Sequence, residues 1–199
     1  MAKAIEGSTY VAHLASPYYL DNKTREELIA PALDGTTNVM KACSAASIKR
    51  CVLTSSFASI RWTAKEDAPK DEVYSESHWS NPDRPEGMGD YAVSKTLAEK
   101  AAWDYQAKHG NPFELVSINP VFMLGPALAD PNVVSEEFIR CILFNTEPLI
   151  KLASNGYVDI RDSAKAHLQA IKVPEARNRR FIVCNDEITK HELVEILKT

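Results

Sequence analysis

Hydrophobic and polar positions follow a regular alternation along this chain, in which longer amphipathic stretches separate short apolar runs. The short runs are predicted to be buried strands, and they cover residues 10–16, 50–56, 113–120 and 179–184. The longer stretches are predicted to be helices, and they cover residues 24–46, 91–110, 135–144, 161–171 and 189–198. Because strands separated by helices of this length form βαβ units, the pattern predicts an α/β fold with a parallel sheet covered on both faces.

The connection after the first predicted strand is unusual for a doubly wound α/β domain. Such a domain opens with a strand, a glycine-rich turn and a helix, whereas the first strand here leads into Ala15, Ser16 and Pro17. The single G-x-G, from Gly87 to Gly89, follows no predicted strand and has no third glycine, so it does not match the dinucleotide fingerprint. The pattern therefore predicts a doubly wound, Rossmann-like parallel sheet that opens in an unusual way.

Residues 60–90 form one long irregular region that is rich in proline, serine and acidic residues. A loop of this length inside a compact domain is more often functional than a linker. We therefore expect this segment to contribute to a binding site.

Composition narrows the function classes. The chain has 199 residues, and its 23 basic and 27 acidic residues form no block of like charge, which argues against nucleic acid or a membrane surface as a partner. No apolar run approaches the roughly 20 residues of a membrane span, and the first ten residues contain no apolar signal region. The four cysteines show no C-x-x-C pair and the five histidines no ligand spacing, so we expect free thiols, a cytoplasmic location and no metal site.

The segment YAVSK at 91–95 places a tyrosine four residues before a lysine on a predicted helix. At about 100° per residue, Lys95 lies about 40° from Tyr91, beside a face of small alanines. The other charges of the helix are predicted to point away from that face, with Glu99 at about 80° and Lys100 at about 180°. The spacing alone leaves two interpretations open: a lysine whose stem lies along the helix flank, or a lysine that tunes a catalytic tyrosine.

Ser56 supplies the context that favours chemistry. It ends the strand predicted at 50–56, and the carboxyl end of a strand in an open parallel sheet faces the ligand crevice. Ser56, Tyr91 and Lys95 can then converge on a substrate carbonyl group. A serine hydroxyl donates to the carbonyl oxygen, a phenol delivers the proton as hydride arrives, and the nearby ammonium is expected to lower the phenol pKa from about 10.

Six motifs occur in order along the chain: HLASP, PALDGTTNVMKAC, KRCVLTSS, YAVSKTLAEKAAWDY, INPVFMLGP and YVDIRDSAKAHLQA. Together they resemble the extended short-chain dehydrogenase/reductases, and within them the group of dihydroflavonol reductases, cinnamoyl-CoA reductases and yeast-type aldehyde reductases. The resemblance runs from about Ala4 to Lys198. It implies an NAD(P)H-dependent reductase of an aldehyde or ketone, with a small-molecule carbonyl substrate, in a monomer or homodimer.

The resemblance also implies roles for individual residues. Ser56 matches the family's catalytic serine, Tyr91 its proton donor, and Lys95 the lysine that also holds the nicotinamide ribose. The other residues that the resemblance places against NADP or NAD are Ala15, Ser16, Pro17, Thr54, Ser55, Pro120, Val121, Phe122 and Met123.

The resemblance further implies that residues 1–199 form a single incomplete NAD(P)-binding Rossmann-like domain, with substrate-lobe segments at about 126–160 and 173–199. It also implies that the doubly wound sheet is partial and lacks the first βαβ half. Members of this family carry the glycine-rich pyrophosphate turn in a first βαβαβ half that the six motifs do not include. Two alternatives to the reductase therefore stay open. One is a truncated, non-catalytic chain that cannot bind the cofactor, and the other is an epimerase or dehydratase on the same scaffold.

Overall fold

A computed structural model of the chain describes residues 2–18, 24–63, 68–71, 73–83, 88–126, 128, 134–144 and 154–198. Its elements in chain order are α1 (Ala2–Ile5), β1 (Tyr10–His13), α2 (Arg25–Ala45), β2 (Arg50–Thr54), α3 (Asp90–Lys108), β3 (Glu114–Pro120), β4 (Phe122–Leu124), α4 (Val134–Leu143), β5 (Ser154–Asp159), α5 (Ile160–Lys172), β6 (Arg179–Val183), β7 (Asp186–Thr189) and α6 (Lys190–Leu197). Short 3-10 helices lie at Phe57–Ser59 and Pro174–Ala176. The chain divides into a first unit, Met1–Asn119 with Ala166–Ile182, and a second unit, Pro120–Lys165 with Val183–Thr199.

The first unit is built on a four-stranded sheet with the strand order β1-β2-β3-β6. β1 pairs with β2 and β2 pairs with β3, both in parallel, so that Arg50 lies opposite Tyr10 on one side and Glu114 on the other. Helices α2 and α3 connect these parallel strands, as a crossover connection requires. The predicted α/β fold with a parallel sheet is confirmed, and its strands and helices begin and end within a few residues of the predicted bounds.

The main hydrophobic core of the first unit lies between the sheet and its two long helices. Cys51 and Leu53 of β2 pack in it with Leu115 of β3 and with Val39 and Met40 of α2. The strand is apolar at almost every position because both faces of a parallel sheet are covered.

Two cysteines meet inside this core. Cys43 on α2 and Cys51 on β2 are both fully buried, and their side chains share a hydrogen bond. None of the cysteines in the described part of the chain forms a disulfide, and Cys184 is exposed.

Arg50, at the amino end of β2, ties the last turn of α5 to the sheet. Its guanidinium donates to the carbonyl oxygens of Ala170 and Val173, each at 2.7 Å, and pairs with the carboxylate of Glu114 at 2.6 Å. A helix leaves its last carbonyl groups without intrahelical partners, and a cation there also interacts favourably with the helix dipole. Arg50 therefore caps α5 from the end of β2 that lies opposite Ser56.

Helices α2 and α3 pack against each other beside the sheet. α2 begins after Thr24, whose hydroxyl accepts from the backbone N–H of Glu27, while the Glu27 carboxylate accepts from the Thr24 N–H. This capping box fixes the start of the helix. Within the described parts of the chain, no helix is both long enough and apolar enough to cross a membrane.

The second unit contains a three-stranded sheet with the order β4-β5-β7. β4 and β5 are parallel, whereas β5 and β7 are antiparallel. Gly156 on β5 lies where a Cβ atom would come within 2.8 Å of Val121 Cγ1, so the absence of a side chain permits this approach. The hydrophobic pattern predicts none of these three strands, because β4 has three residues and β5 and β7 are largely polar.

Candidate active site

The carboxyl end of β2 carries the three hydroxyl residues of the TSS segment. Ser56 has an extended backbone and caps the 3-10 helix at 57–59, with its Oγ accepting from the N–H of Ala58 at 3.1 Å. The N–H of Ser55 donates to the carbonyl oxygen of Ile118 at 2.8 Å, which continues the pairing with β3 by one residue. The turn that presents the Ser56 hydroxyl is therefore fixed by its own cap and by the sheet.

Tyr91 lies in the first turn of α3, near enough to the side chain of Ser56 for that side chain to lower the pKa of its phenol. The ring of Tyr18 packs edge-on against the Tyr91 ring, with centroids 4.6 Å apart. Burial raises the pKa of Tyr91 to about 12, against a smaller lowering by the Ser56 side chain. The sequence predicts that Ser56 and Tyr91 lie close together. Nothing in the sequence pattern predicts that Tyr18 packs against Tyr91.

Lys95 lies one turn after Tyr91 and is 7% exposed. Its Nζ donates to the carbonyl oxygen of Thr54 at 3.3 Å. Burial lowers the pKa of Lys95 to about 8, and the carboxylate of Glu99 opposes that lowering. The structure differs here from the expectation that Lys95 lowers the pKa of Tyr91, because desolvation dominates the pKa of both side chains.

A cavity of about 10 Å³, the size of one water molecule, lies beside Lys95. The predicted cofactor residues that line it are Ala15, Ser16, Thr54, Ser55 and Lys95. The Oγ of Ser16 is buried and has no hydrogen-bond partner among the residues that the structure describes. The structure therefore brings the end of the HLASP motif and the TSS segment together, while the half-buried Pro17 does not line this cavity.

The cavity is also lined by five residues that the sequence analysis did not select as site residues: His13, Thr36, Leu53, Ala98 and Glu99. His13, the last residue of β1, lies with its Nε2 3.4 Å from the hydroxyl of Thr36 on α2. Burial lowers the pKa of His13, and the charge of Lys95 lowers it further. His13 could have been predicted from the sequence, because it lies two residues before Ala15 at the carboxyl end of the first strand.

The prediction that Glu99 points away from the alanine face of α3, beside Tyr91 and Lys95, is wrong. Glu99 is 1% exposed, and its carboxylate accepts from the hydroxyls of Ser55 at 2.7 Å and Ser59 at 2.6 Å. It also forms a 2.7 Å ion pair with Arg180 on β6. The angle of about 80° from Tyr91 correctly puts Glu99 on the flank of the helix. The prediction assumed that only a narrow face of α3 is buried, whereas α3 is buried over a wide arc.

The second unit contains the remaining predicted cofactor residues, which are Pro120, Val121, Phe122 and Met123. Pro120 is buried at the end of β3, and the N–H of Val121 donates to the carbonyl oxygen of Val183 at 3.1 Å. The Phe122 ring packs edge-on against Tyr157 at 5.9 Å, and Met123 Sδ accepts from the Ser163 hydroxyl at 3.4 Å. Within the second unit, all four have backbone or packing roles, and their role toward a cofactor stays a prediction.

The family model of the NAD dependent epimerase/dehydratase family matches residues 1–184 of the chain. Among curated relatives, the chain is 35% identical over 204 residues to the NADPH-dependent methylglyoxal reductase GRE2 of Saccharomyces cerevisiae, an alignment that covers 94% of this chain and 59% of GRE2. It is 38% identical over 199 residues to the cinnamoyl-CoA reductase CAD2 of Medicago truncatula, with 98% of this chain and 59% of the relative covered. The chain thus spans about three fifths of the length of these relatives.

Solved structures agree with the sequence comparison. The crystal structure of Gre2 from Candida albicans in complex with NADPH has a TM-score of 0.85 at 33% identity, and it covers 98% of this chain and 62% of that one. The yeast methylglyoxal/isovaleraldehyde reductase Gre2 complexed with NADPH has a TM-score of 0.83 at 29% identity, with coverage of 98% and 62%. The predicted resemblance to the extended short-chain dehydrogenase/reductases is confirmed, and the chain belongs to the NAD dependent epimerase/dehydratase family.

Proposed function

We propose that this chain carries the catalytic residues of an NADPH-dependent reductase that acts on an aldehyde or ketone. The observation that carries the proposal is that Tyr91 and Ser56 interact at the carboxyl end of β2, while Lys95, buried one helical turn further along, donates to the carbonyl oxygen of Thr54 in the same strand. The named relatives support it, because they are a methylglyoxal reductase and a cinnamoyl-CoA reductase, and two Gre2 structures hold NADPH.

The residues present suit a nicotinamide cofactor. The buried Oγ of Ser16 has no partner within the described residues, and a hydroxyl in that state favours a polar ligand. The ammonium of Lys95 has three donors, and the carbonyl oxygen of Thr54 accepts from one of them. Ser16 and Lys95 would therefore hold hydroxyl groups of the nicotinamide ribose, and bound NADPH, or NADH, would supply the hydride.

The three side chains can then perform the rest of the reduction. Ser56 donates a hydrogen bond to the substrate carbonyl oxygen and orients it toward Tyr91. As the carbonyl carbon accepts hydride, its oxygen gains negative charge and takes the phenolic proton. A phenol with a pKa of about 12 is protonated at neutral pH, so Tyr91 is in the form that can donate. Lys95, with a pKa of about 8, is charged at pH 7 and stabilises the phenolate that Tyr91 becomes.

We assign the two units different roles. The first unit would hold the reacting groups, and segments 126–160 and 173–199, much of them in the second unit, would form the substrate lobe. The family resemblance implies that the backbone of 120–123 would line the cofactor.

The proposal is tested by titrating the purified chain with NADPH and with NADH and following the midpoint of thermal unfolding. A ligand that binds the folded state alone raises the midpoint with the logarithm of its concentration. No rise at millimolar concentrations of either cofactor would refute the proposal and would favour a chain that cannot bind the cofactor.

If the cofactor binds, oxidation of NADPH in the presence of small aldehydes and ketones tests the reaction. Tyr91→Phe is expected to reduce turnover by about 10²-fold or more while leaving NADPH affinity unchanged, since it removes the proton and little else. Tyr105→Phe is the matched control, because Tyr105 lies on the same helix and stacks on His109. Equal turnover in Tyr91→Phe and the wild type would contradict the assignment of the acid.

A further inference from the structure

Glu99 is the most heavily bonded buried acid among the described residues. Its side chain is fully enclosed, and one carboxylate oxygen accepts from Ser55, Ser59 and the amide of Asn119 at 2.6 to 2.8 Å. The other oxygen accepts from Arg180 Nε at 2.7 Å and from the indole N–H of Trp103 at 3.3 Å. A single side chain of α3 thus bonds to the turn after β2, to β3 and to β6.

Arg180 extends these contacts into the irregular region. Its side chain is 8% exposed, and its Nη1 donates to the carbonyl oxygens of Glu76 and His78, each at 2.7 Å. Its guanidinium also lies 3.6 Å from the centroid of the Trp79 ring, a cation–π contact. Every nitrogen of this guanidinium therefore bonds to Glu99, to the Ser59 hydroxyl or to segment 73–83.

Segment 73–83 is joined to the Ser55–Ser59 turn by a second set of hydrogen bonds. The N–H of Ser80 donates to the carbonyl oxygen of Ser59 at 2.8 Å, and the Ser80 hydroxyl donates to the carbonyl oxygen of Ala58 at 2.8 Å. The N–H of Asn81 donates to the carbonyl oxygen of Trp62 at 2.8 Å. The segment, the turn and the ion pair are therefore one connected hydrogen-bond network.

A buried ion pair is a costly way to fill a core, because both charges lose their hydration and apolar residues of similar volume often stabilise a protein equally well. The pair instead holds its neighbours in a defined orientation, because a carboxylate accepts and a guanidinium donates hydrogen bonds along fixed directions. We propose that Glu99 and Arg180 are positioning residues, whose ion pair fixes segment 73–83 against the Ser55–Ser59 turn and so orients the Ser56 hydroxyl toward Tyr91.

This inference deepens the proposed function and rests on it for the role of Ser56. The ordering of segment 73–83 can nevertheless be measured without turnover. The test compares four proteins by residue-resolved amide hydrogen exchange: the wild type, Glu99→Gln, the apolar double variant Glu99→Leu/Arg180→Met, and the control Glu114→Gln. The control removes the charge of a second ion pair with a buried arginine, Arg50–Glu114, at the far end of β2.

The amides of Ser80 and Asn81 are expected to exchange at least about tenfold faster in Glu99→Gln and in the double variant, while the core amides of Val52 and Val116 keep their protection. The control is expected to leave Ser80 and Asn81 as in the wild type. Unchanged protection of segment 73–83 in both variants would overturn the proposal. Equal acceleration of segment and core amides would also overturn it, because it would make the pair a contributor to global stability alone.

The double variant separates positioning from packing. If the pair only fills the core, the apolar replacement restores the protection of segment 73–83 to that of the core amides. If it positions, segment 73–83 stays unprotected in the double variant while the core amides of Val52 and Val116 keep their protection.

With an active wild type, both variants are expected to lose about 10²-fold in kcat, since a misplacement of about 1 Å costs that much. Wild-type turnover in the double variant would overturn the role of the pair in orienting Ser56. A wild type that binds no NADPH defeats the proposed function, and the exchange measurement still decides whether the pair orders the segment.

Discussion

Lys95→Met is expected to stabilise the folded chain while removing its activity. Lys95 is 7% exposed, and within the described residues its Nζ donates one hydrogen bond, to the carbonyl oxygen of Thr54 at 3.3 Å. Burying the ammonium costs free energy, and methionine has a stem of similar length without the charge.

The magnitude follows from the pKa. Burial lowers the pKa of Lys95 from 10.5 to about 8, and at about 1.4 kcal/mol per pH unit the difference corresponds to about 3 kcal/mol of destabilisation at neutral pH. The lost hydrogen bond to Thr54 offsets about 1 kcal/mol of the gain. Lys95→Met should therefore raise the free energy of unfolding by about 2 kcal/mol at pH 7.

The stability difference between Lys95→Met and the wild type changes with pH. Below about pH 8, Lys95 is protonated in both the folded and unfolded chain, so the full cost is present in the wild type. Between about pH 8 and 10.5 the folded chain has lost the proton and the unfolded chain has kept it, so wild-type stability rises relative to the variant. The advantage of Lys95→Met is thus complete below about pH 8 and disappears toward pH 10.5.

Urea unfolding followed by tryptophan fluorescence, without cofactor, at about pH 7 and about pH 10, measures this difference. Lys108→Met is the matched control, because Lys108 lies exposed on the last turn of the same helix. A variant that is less stable than the wild type at pH 7, or an advantage that does not change with pH, would refute the reasoning.

Three further outcomes are expected. Ser56→Ala should lower kcat by about 10²-fold, because it removes the donor to the carbonyl oxygen, at a stability cost of about 1 kcal/mol for the lost helix cap. In wild-type pH profiles, kcat/KM should fall above about pH 8 as Lys95 loses its proton in the free protein, and Lys95→Arg should remove that decline. Arg50→Met should lower the free energy of unfolding by about 3–5 kcal/mol in urea titrations, because it leaves the carboxylate of Glu114 and the end of α5 without their partner.

Each of these outcomes has a result that contradicts it. A Ser56→Ala protein with wild-type kcat would remove Ser56 from the mechanism, and a decline above pH 8 that persists in Lys95→Arg would assign it to another group. For Arg50, the reference is Arg25→Met, which breaks the exposed pair with Asp90 and should cost less than about 1 kcal/mol. Similar losses in the two arginine variants would show that burial of Arg50 does not matter.

The first unit could be predicted from the sequence because its signals are local and strong. β2 is a short apolar run and α3 a long helical one, so both appear in the pattern, and the end of β2 places Ser56 opposite Tyr91. The second unit could not be predicted in the same way, because β4, β5 and β7 are short or polar and are stabilised by each other.

Side chains of the candidate site also differ in whether the sequence pattern predicts their position. Lys95 was recognisable from its spacing to Tyr91, whereas the burial of Glu99 depends on Arg180, which lies 81 residues further along the chain. The pKa of Tyr91 was also beyond the pattern, since it depends on desolvation by surrounding residues more than on the nearest charge.

The buried pair of thiols in the main core has a practical consequence. Cys43 and Cys51 have no exposed surface, so an alkylating reagent reaches them only when α2 separates from β2. Cys184 is exposed and takes the same reagent in the folded chain. Mass spectrometry of successive alkylations would therefore time the opening of the core of the first unit, with no label introduced by mutation.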